Sequence, residues 1–402
     1  MTSGAKFMMG HPTLNMNSRS AGLALARSGM LGEFHTLLDT TYLSRMAGAT
    51  LGRRLARRAL PAELSQYSHS HPMIEVYRLA TQRVRRSAAS KRAIVDSAYA
   101  AIDRHMAKRL NTSFSAVYAY EDGAARVFQR AADIAIPRIY DLPIGYWRAG
   151  QEIMQEEAEA QPDWAGTMPS QSDSREKLEQ KDFELSLASE IVVASEFTRS
   201  TLALYPDALA PVHVIPYGAP PAVDRPRLSD RKQIRSLYVG GLTQRKGLSY
   251  LFEGVARSGV DVHLTVVGAL AGESEALNRM LRLPHVTWAP SLPHAAVLEM
   301  MRESDVLLFP SLFEGYGLVI SEALSQGLPV VSTSHTAAPD LITDGSDGWV
   351  IPIRDADAIA SCLNRLVDVD VRNSMKSFAL TRARELSWSL YEAQVSEVAG
   401  SA

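Results

Sequence analysis

The chain predicts two successive α/β domains, each built on a parallel sheet, and three observations carry that expectation. Short β-branched or aromatic runs alternate with longer helical stretches, the pattern of repeated βα units. The alternation breaks once, at residues 218–230 (GAPPAVDRPRLSD), where Pro220, Pro221 and Pro226 block regular structure and read as a linker. The length of 402 residues fits two domains or three. With 46% apolar and 21% charged residues, wholesale disorder and a fibrous repeat are excluded.

In the first half, strands are expected at residues 6–9, 34–38, 116–120, 138–140, 191–194 and 212–215. The stretch 43–110 is helical in pattern and too long for one crossover, so it reads as an insertion on the sheet. After the linker, strands are expected at 236–240, 262–267, 286–288, 306–309, 329–332 and 348–351. The boundaries follow as 1–218, 219–385 and a final helix over 386–402. Two such domains leave a cleft between them, and ligands of open α/β sheets sit outside the carboxyl ends of the strands. The residues just after each strand are therefore the candidates for chemistry.

The formal charge of −2 hides an asymmetry. Residues 1–110 hold 17 Lys and Arg against 6 Asp and Glu, a net of +11, and the rest carries −13. Much of the positive charge lies in Arg53-Arg54…Arg57-Arg58 and Arg83…Arg85-Arg86…Lys91-Arg92. Leu51, Leu55 and Leu60 form a stripe beside the first run, which suits a solvated amphipathic helix or one lying on an anionic membrane surface. Residues 151–190 are acidic, with 11 Asp and Glu to 3 Lys and Arg, and read as a solvated helical segment. A single cysteine (Cys362), no twenty-residue apolar run and no secretory pattern at the N-terminus make the expected location cytoplasmic, with peripheral attachment at the inner membrane face as the alternative. No nucleic acid partner is expected.

Two loops carry the strongest signals. In LYVGGLTQRKGLSYLFEGV, Gly240 and Gly241 turn the chain and Arg245-Lys246 precede a helix N-terminus, an arrangement suited to a diphosphate. It lacks the spacing of a Walker A loop. In DVLLFPSLFEGYGLVISEALSQGLPVV, Glu314 falls in a glycine-containing loop between a buried strand and a helix, and Glu322 lies within that helix. A carboxylate at Glu314 can accept from a ligand hydroxyl. The amides of Gly315, Tyr316, Gly317 and Leu318 remain as donors to a phosphate or hydroxyl.

The pair Glu314–x7–Glu322 within FEGYGLVISEALSQGLPVV, with VGGLTQRKG upstream, resembles the retaining glycosyltransferases of family 4 (group 1), which have the GT-B fold of two Rossmann-like domains facing a central cleft. The likeness is close over 236–352 and looser at VVASEFTRSTL, VIPYGAP and LSWSLYEAQV. It implies a sugar moved from a nucleoside-diphosphate donor to an acceptor hydroxyl with retained configuration, by front-face substitution and with no metal or other cofactor. By resemblance, Lys246 and Arg245 hold the diphosphate, Glu322 the ribose hydroxyls, and Glu314 the donor sugar. Gly241 stands where many relatives carry an arginine, which leaves Arg245 to supply the second charge.

The first domain matches less well. GHPTLNMNSRSAG replaces the usual glycine-rich loop, and Asn15, Asn17 and Arg19 are either acceptor ligands or capping and solvent-facing groups. Asp141 in RIYDLPIGYWR takes the position where relatives place a catalytic histidine, with a turn-forming role as the alternative. Glu121, after VYAY, is a further cleft candidate. The Asp355-Ala-Asp357 and Asp368-Val-Asp370 pairs read as caps and turns, His11, His35, His69, His71 and His105 lack metal-ligand spacing, and Cys362 reads as buried and inert. Two other functions share the architecture: a nucleotide-sugar epimerase, and a binding protein without catalysis.

Overall fold

In the computed structural model, which describes residues 5–41, 59–84, 88–168 and 173–402, the chain forms two wholly parallel sheets. The strands of the first are β1 (Phe7–Gly10), β2 (Leu31–Thr36), β3 (Ser68–Ser70), β4 (Ala116–Tyr120), β5 (Arg138–Leu142), β6 (Glu190–Val193) and β7 (Val212–Val214), in the order β3-β2-β1-β4-β5-β6-β7. Those of the second are β8 (Ile234–Val239), β9 (Val262–Val267), β10 (Val286–Ala289), β11 (Val306–Phe309), β12 (Val330–Thr333) and β13 (Gly348–Ile351), in the order β10-β9-β8-β11-β12-β13. Both follow the Rossmann order. In each, the chain builds outward from its first strand and returns to the other side of it, so a switch point opens between β1 and β4 and between β8 and β11.

The central strands are the plainest in the sequence. β4 (AVYAY) and β11 (VLLF) are buried at every position, which yields continuous apolar runs in place of alternation. β3 corrects the expected all-helical insertion over 43–110. Its sequence, Ser-His-Ser, has no apolar residue, and it sits at the sheet edge paired only to β2, with Phe34 opposite Ser68 and His35 opposite His69. Arg53, Arg54, Arg57, Arg58, Arg85 and Arg86 lie outside the described residues, and the basic face expected there is not described. Among the described residues no helix is long and apolar enough to cross a membrane.

Among the described residues, two longer segments cross between the halves. The helix Trp147–Ala160 and the following 3-10 turns Pro162–Thr167 lie within the first half of the sequence but pack on the second domain: Phe313 fits against Gly145 and Gly150, and Trp164 stacks on Phe252. The final helix Trp388–Ser401 crosses back to Met16–Arg27, where Arg27 pairs with Glu392 at 2.6 Å and Ser396 Oγ donates to the Ala24 carbonyl. The acidic stretch is not uniformly solvated. Glu157 and Glu184 are fully buried, which corrects the expectation of a solvated segment. Burial pushes the Glu184 carboxyl up to about 8 although Gln180 and the Ala124 amide donate to it.

Candidate active site

The switch point of the second sheet holds both loops singled out from sequence. After β8 the chain makes one 3-10 turn, Gln244–Lys246, and enters the helix Leu248–Ser258 through Gly247 at φ +71°. A Cβ on Gly247 would come within 2.0 Å of the Pro310 carbonyl oxygen, so glycine alone permits both the backbone conformation and the contact between the loops. The second loop runs from Pro310 to Gly317, between β11 and the helix Leu318–Ser325. Its Leu312 amide donates to the Arg245 carbonyl at 2.9 Å. The loops are thus one unit.

Glu314 is the centre of that unit. Its amide donates to the His335 carbonyl at 3.2 Å, and its Oε1 accepts from Ser311 Oγ and from Arg245 Nη1, each at 3.3 Å. The same oxygen contacts Lys246 Nζ. Arg245 Nη1 also donates to the Phe313 carbonyl at 2.5 Å, and Lys246 Nζ lies 5.0 Å from the Phe309 ring centroid. Burial lowers the pKa of both cations, and for Lys246 the Arg245 charge adds to the effect; contact with the Glu314 carboxylate works against it. Two half-buried cations share one carboxylate. The trio keeps one uncompensated positive charge in a site of low dielectric, which an anionic ligand would satisfy.

A cleft of about 400 Å³ opens beside this trio, and nine of the expected residues line it: Asn15, Asn17, Gly240, Lys246, Glu314, Gly315, Tyr316, Gly317 and Leu318. Among the described residues none accepts a hydrogen bond from the Gly315, Tyr316, Gly317 or Leu318 amides. The first domain closes the other side. Gly315 abuts the Pro143 carbonyl at a distance only glycine allows, and its own carbonyl accepts from Ser195 Oγ at 2.6 Å and Thr198 Oγ1 at 3.0 Å. Tyr316 donates its hydroxyl to the Tyr217 carbonyl at 2.6 Å, and Tyr217 accepts from Asn17 Nδ2 at 3.0 Å. Asn15 lines the cleft and caps the helix Met16–Arg27, accepting from Ser18 N at 2.9 Å.

The remaining candidates, Arg245 among them, do not line the cleft. Arg19 turns from the cleft to donate to the Ala59 carbonyl, and Glu121 is buried in an ion pair with Lys181 at 3.1 Å. Asp141 sits inside β5, which runs two residues further than expected, and it is 1% exposed with Tyr118 donating to it at 2.7 Å. Burial pushes its carboxyl up to about 7, against the hydrogen bond from Tyr118. These three positions correct the expectation of cleft ligands in the first domain. Gly241 accepts from the Tyr238 hydroxyl, and Glu322 pairs with His294 Nε2 at 2.9 Å, a partner the sequence did not signal.

Four of the five histidines come together, and His11 lies apart against Tyr99 and Tyr120. Parallel pairing of β2 with β3 sets His35 beside His69, and His71 and His105 extend the group, with His35 Nδ1 3.2 Å from His71 Nε2 and His35 Nε2 3.0 Å from Glu33. Among the described residues no three such groups converge to hold a metal. Asp355 and Asp368 each cap a helix N-terminus, and Cys362 is buried, its thiol pushed up to about 12 by that burial.

Sheet order and a cleft at facing switch points define the GT-B architecture. Solved structures agree along nearly the whole chain. A sucrose-phosphate synthase from Thermosynechococcus elongatus superposes with a TM-score of 0.65 at 15% identity, covering 99% of this chain and 98% of its own. Alr3699/HepE of Anabaena, solved with UDP and glucose, gives 0.63 at 13% identity, covering 99% of this chain and 100% of its own. In sequence, residues 233–368 match the family model described as Glycosyl transferases group 1. That stretch is the second domain, with both loops. An amylovoran biosynthesis glycosyltransferase, AmsK, of Erwinia amylovora is 33% identical over 147 residues, 33% of this chain and 36% of its own length. A phosphatidyl-myo-inositol mannosyltransferase of Mycobacterium leprae is 30% identical over 161 residues, 38% of this chain and 42% of its own. The matched stretches thus span about two fifths of these relatives.

Proposed function

We propose that the protein is a retaining glycosyltransferase that moves a sugar from a nucleoside diphosphate to an acceptor hydroxyl. The observation that carries this is the Arg245–Lys246–Glu314 trio, of which Lys246 and Glu314 line an interdomain cleft at the switch point of the second sheet. Arg245 and Lys246 bind the donor diphosphate and stabilise the charge that develops on it as the bond to the sugar breaks. Glu314 accepts from a donor-sugar hydroxyl, the amides of Gly315 to Leu318 donate to sugar and phosphate oxygens, and Glu322 accepts from the ribose. In the step itself the anomeric carbon–phosphate oxygen bond breaks and a bond to the acceptor oxygen forms on the same face. The acceptor proton passes to the leaving diphosphate. Asn15 and Asn17 lie on the acceptor side, and closure of the two domains excludes water that would hydrolyse the donor. The names of the sequence relatives, from polysaccharide and glycolipid synthesis, favour a glycan or lipid-linked acceptor, and the basic charge of residues 1–110 suits an anionic one.

Thermal-shift titration with UDP-, GDP-, ADP- and dTDP-sugars tests the donor reading. At least one donor family raises the midpoint, and that donor is consumed only when an acceptor is supplied. Donor isomerised without acceptor means an epimerase, binding without either reaction means an inactive binding protein, and stabilisation by none of them contradicts the donor site.

A further inference from the structure

We infer that Glu157 is a positioning residue for the diphosphate loop, holding Arg245 and Lys246 in register from a helix that also grips the first domain; the assignment rests on the donor site proposed above. The helix Trp147–Ala160 works as a strut between the halves. At its start, Trp147 Nε1 and Arg148 Nη2 each donate to the Asp182 carboxylate at 2.7 Å, and the Tyr146 hydroxyl donates to it at 2.6 Å. Asp182 lies on the helix Arg175–Leu187, so this end belongs to the first domain.

The other end is buried in the second domain. Glu157 is fully buried, and its Oε1 accepts from Gln244 Nε2 at 2.6 Å. Its Oε2 accepts from Arg354 Nε at 2.8 Å and from the Tyr250 hydroxyl at 3.2 Å. Gln244 immediately precedes Arg245. Its amide donates to Thr167 Oγ1 at 2.9 Å, on the 3-10 segment that follows the strut, and its side-chain oxygen accepts from Ser249 N at 3.0 Å. Both the backbone and the side chain of Gln244 are therefore held from the strut.

A buried carboxylate is costly unless its oxygens are paired. Glu157 is paired only while the Gln244 turn, Tyr250 and Arg354 all remain in reach, so the loop is drawn to this one position. Arg245 and Lys246 follow directly in the same turn, and small displacements of such cations weaken a diphosphate contact steeply. The strut also fixes the loop relative to the first domain, so the grip on phosphate and the closure of the cleft are coupled.

The test separates phosphate grip from fold. UDP, GDP, ADP and dTDP, each beside its own nucleoside, are titrated calorimetrically into the full chain and into Glu157→Gln and Thr167→Val. In the wild-type protein at least one diphosphate binds more tightly than its nucleoside; binding of none overturns the donor site and this assignment with it. In both variants the Kd for that diphosphate rises about tenfold or more, while the nucleoside Kd changes by less than about twofold. Thr167→Val, which removes one hydroxyl without changing side-chain shape, keeps the test open where Glu157→Gln does not fold. Unchanged diphosphate binding, or equal losses for diphosphate and nucleoside, makes Glu157 a structural staple alone and overturns the inference.

Discussion

Glu314 and Lys246 meet at the floor of the cleft, from loops that leave the adjacent strands β11 and β8. Neither loop alone makes a site. The carboxylate offsets part of the cost of desolvating two cations, and the remaining charge would favour an anion in the cleft. Replacing Lys246 by alanine leaves Arg245 and Glu314 as a neutral pair. Calorimetric titration of Lys246→Ala with nucleoside diphosphates shows affinity lower by about tenfold to a hundredfold, with the fold retained. Wild-type affinity in that variant removes Lys246 from the site.

Gly247 couples the same two loops through its contact with Pro310. Alanine there meets both a left-handed backbone and a carbonyl oxygen within 2.0 Å. Gly247→Ala therefore costs about 2 kcal/mol or more in urea unfolding and weakens diphosphate binding as well. A variant as stable as the wild type means the two loops are not held by that contact.

Asp141 predicts a pH dependence of stability. Its folded value, about 7, lies above the unfolded 3.8, so the native state holds this proton more tightly. The contribution is complete below the unfolded value and declines as pH rises from about 4 to about 7, a loss of up to about 4 kcal/mol. Asp141→Asn keeps an acceptor for Tyr118 and removes the titration. Urea unfolding at pH 5 and pH 8 shows the variant gaining on the wild type at the higher pH, and parallel profiles for the two proteins refute the assignment.

The arginines at 53, 54, 57 and 58 bear on where the acceptor lies. Sedimentation with anionic and neutral vesicles shows binding to the anionic ones alone, weakening as salt is raised from 0.05 to about 0.3 M. Equal binding to both kinds of vesicle, or binding to neither, removes the anionic-surface reading of those arginines.

Legibility in the sequence followed physical lines. Strands buried on both faces announce themselves as apolar runs, and β4, β11 and β13 fall on the residues expected for them, as does β9, which alternates. β3 carries no such signal, being a polar edge strand, and without it the neighbouring histidines looked unrelated. The second-domain loops were readable because backbone and charge requirements fall on consecutive residues there. In the first domain the candidates came from strand ends alone. Burial turned Asp141 inward and paired Glu121 with Lys181 from a helix distant in sequence. Glu157 was hidden for the same reason, since its partners Gln244 and Arg354 come from the other domain.

A contact between Glu314 and the donor sugar in the reacting complex is tested by the rate at which the wild type and Glu314→Ala release nucleoside diphosphate from the stabilising donor, at saturating donor and acceptor. A fall of about a hundredfold is expected in the folded variant, whose thermal midpoint is lowered because Arg245 and Lys246 lose their shared carboxylate. Equal rates in a folded variant contradict it.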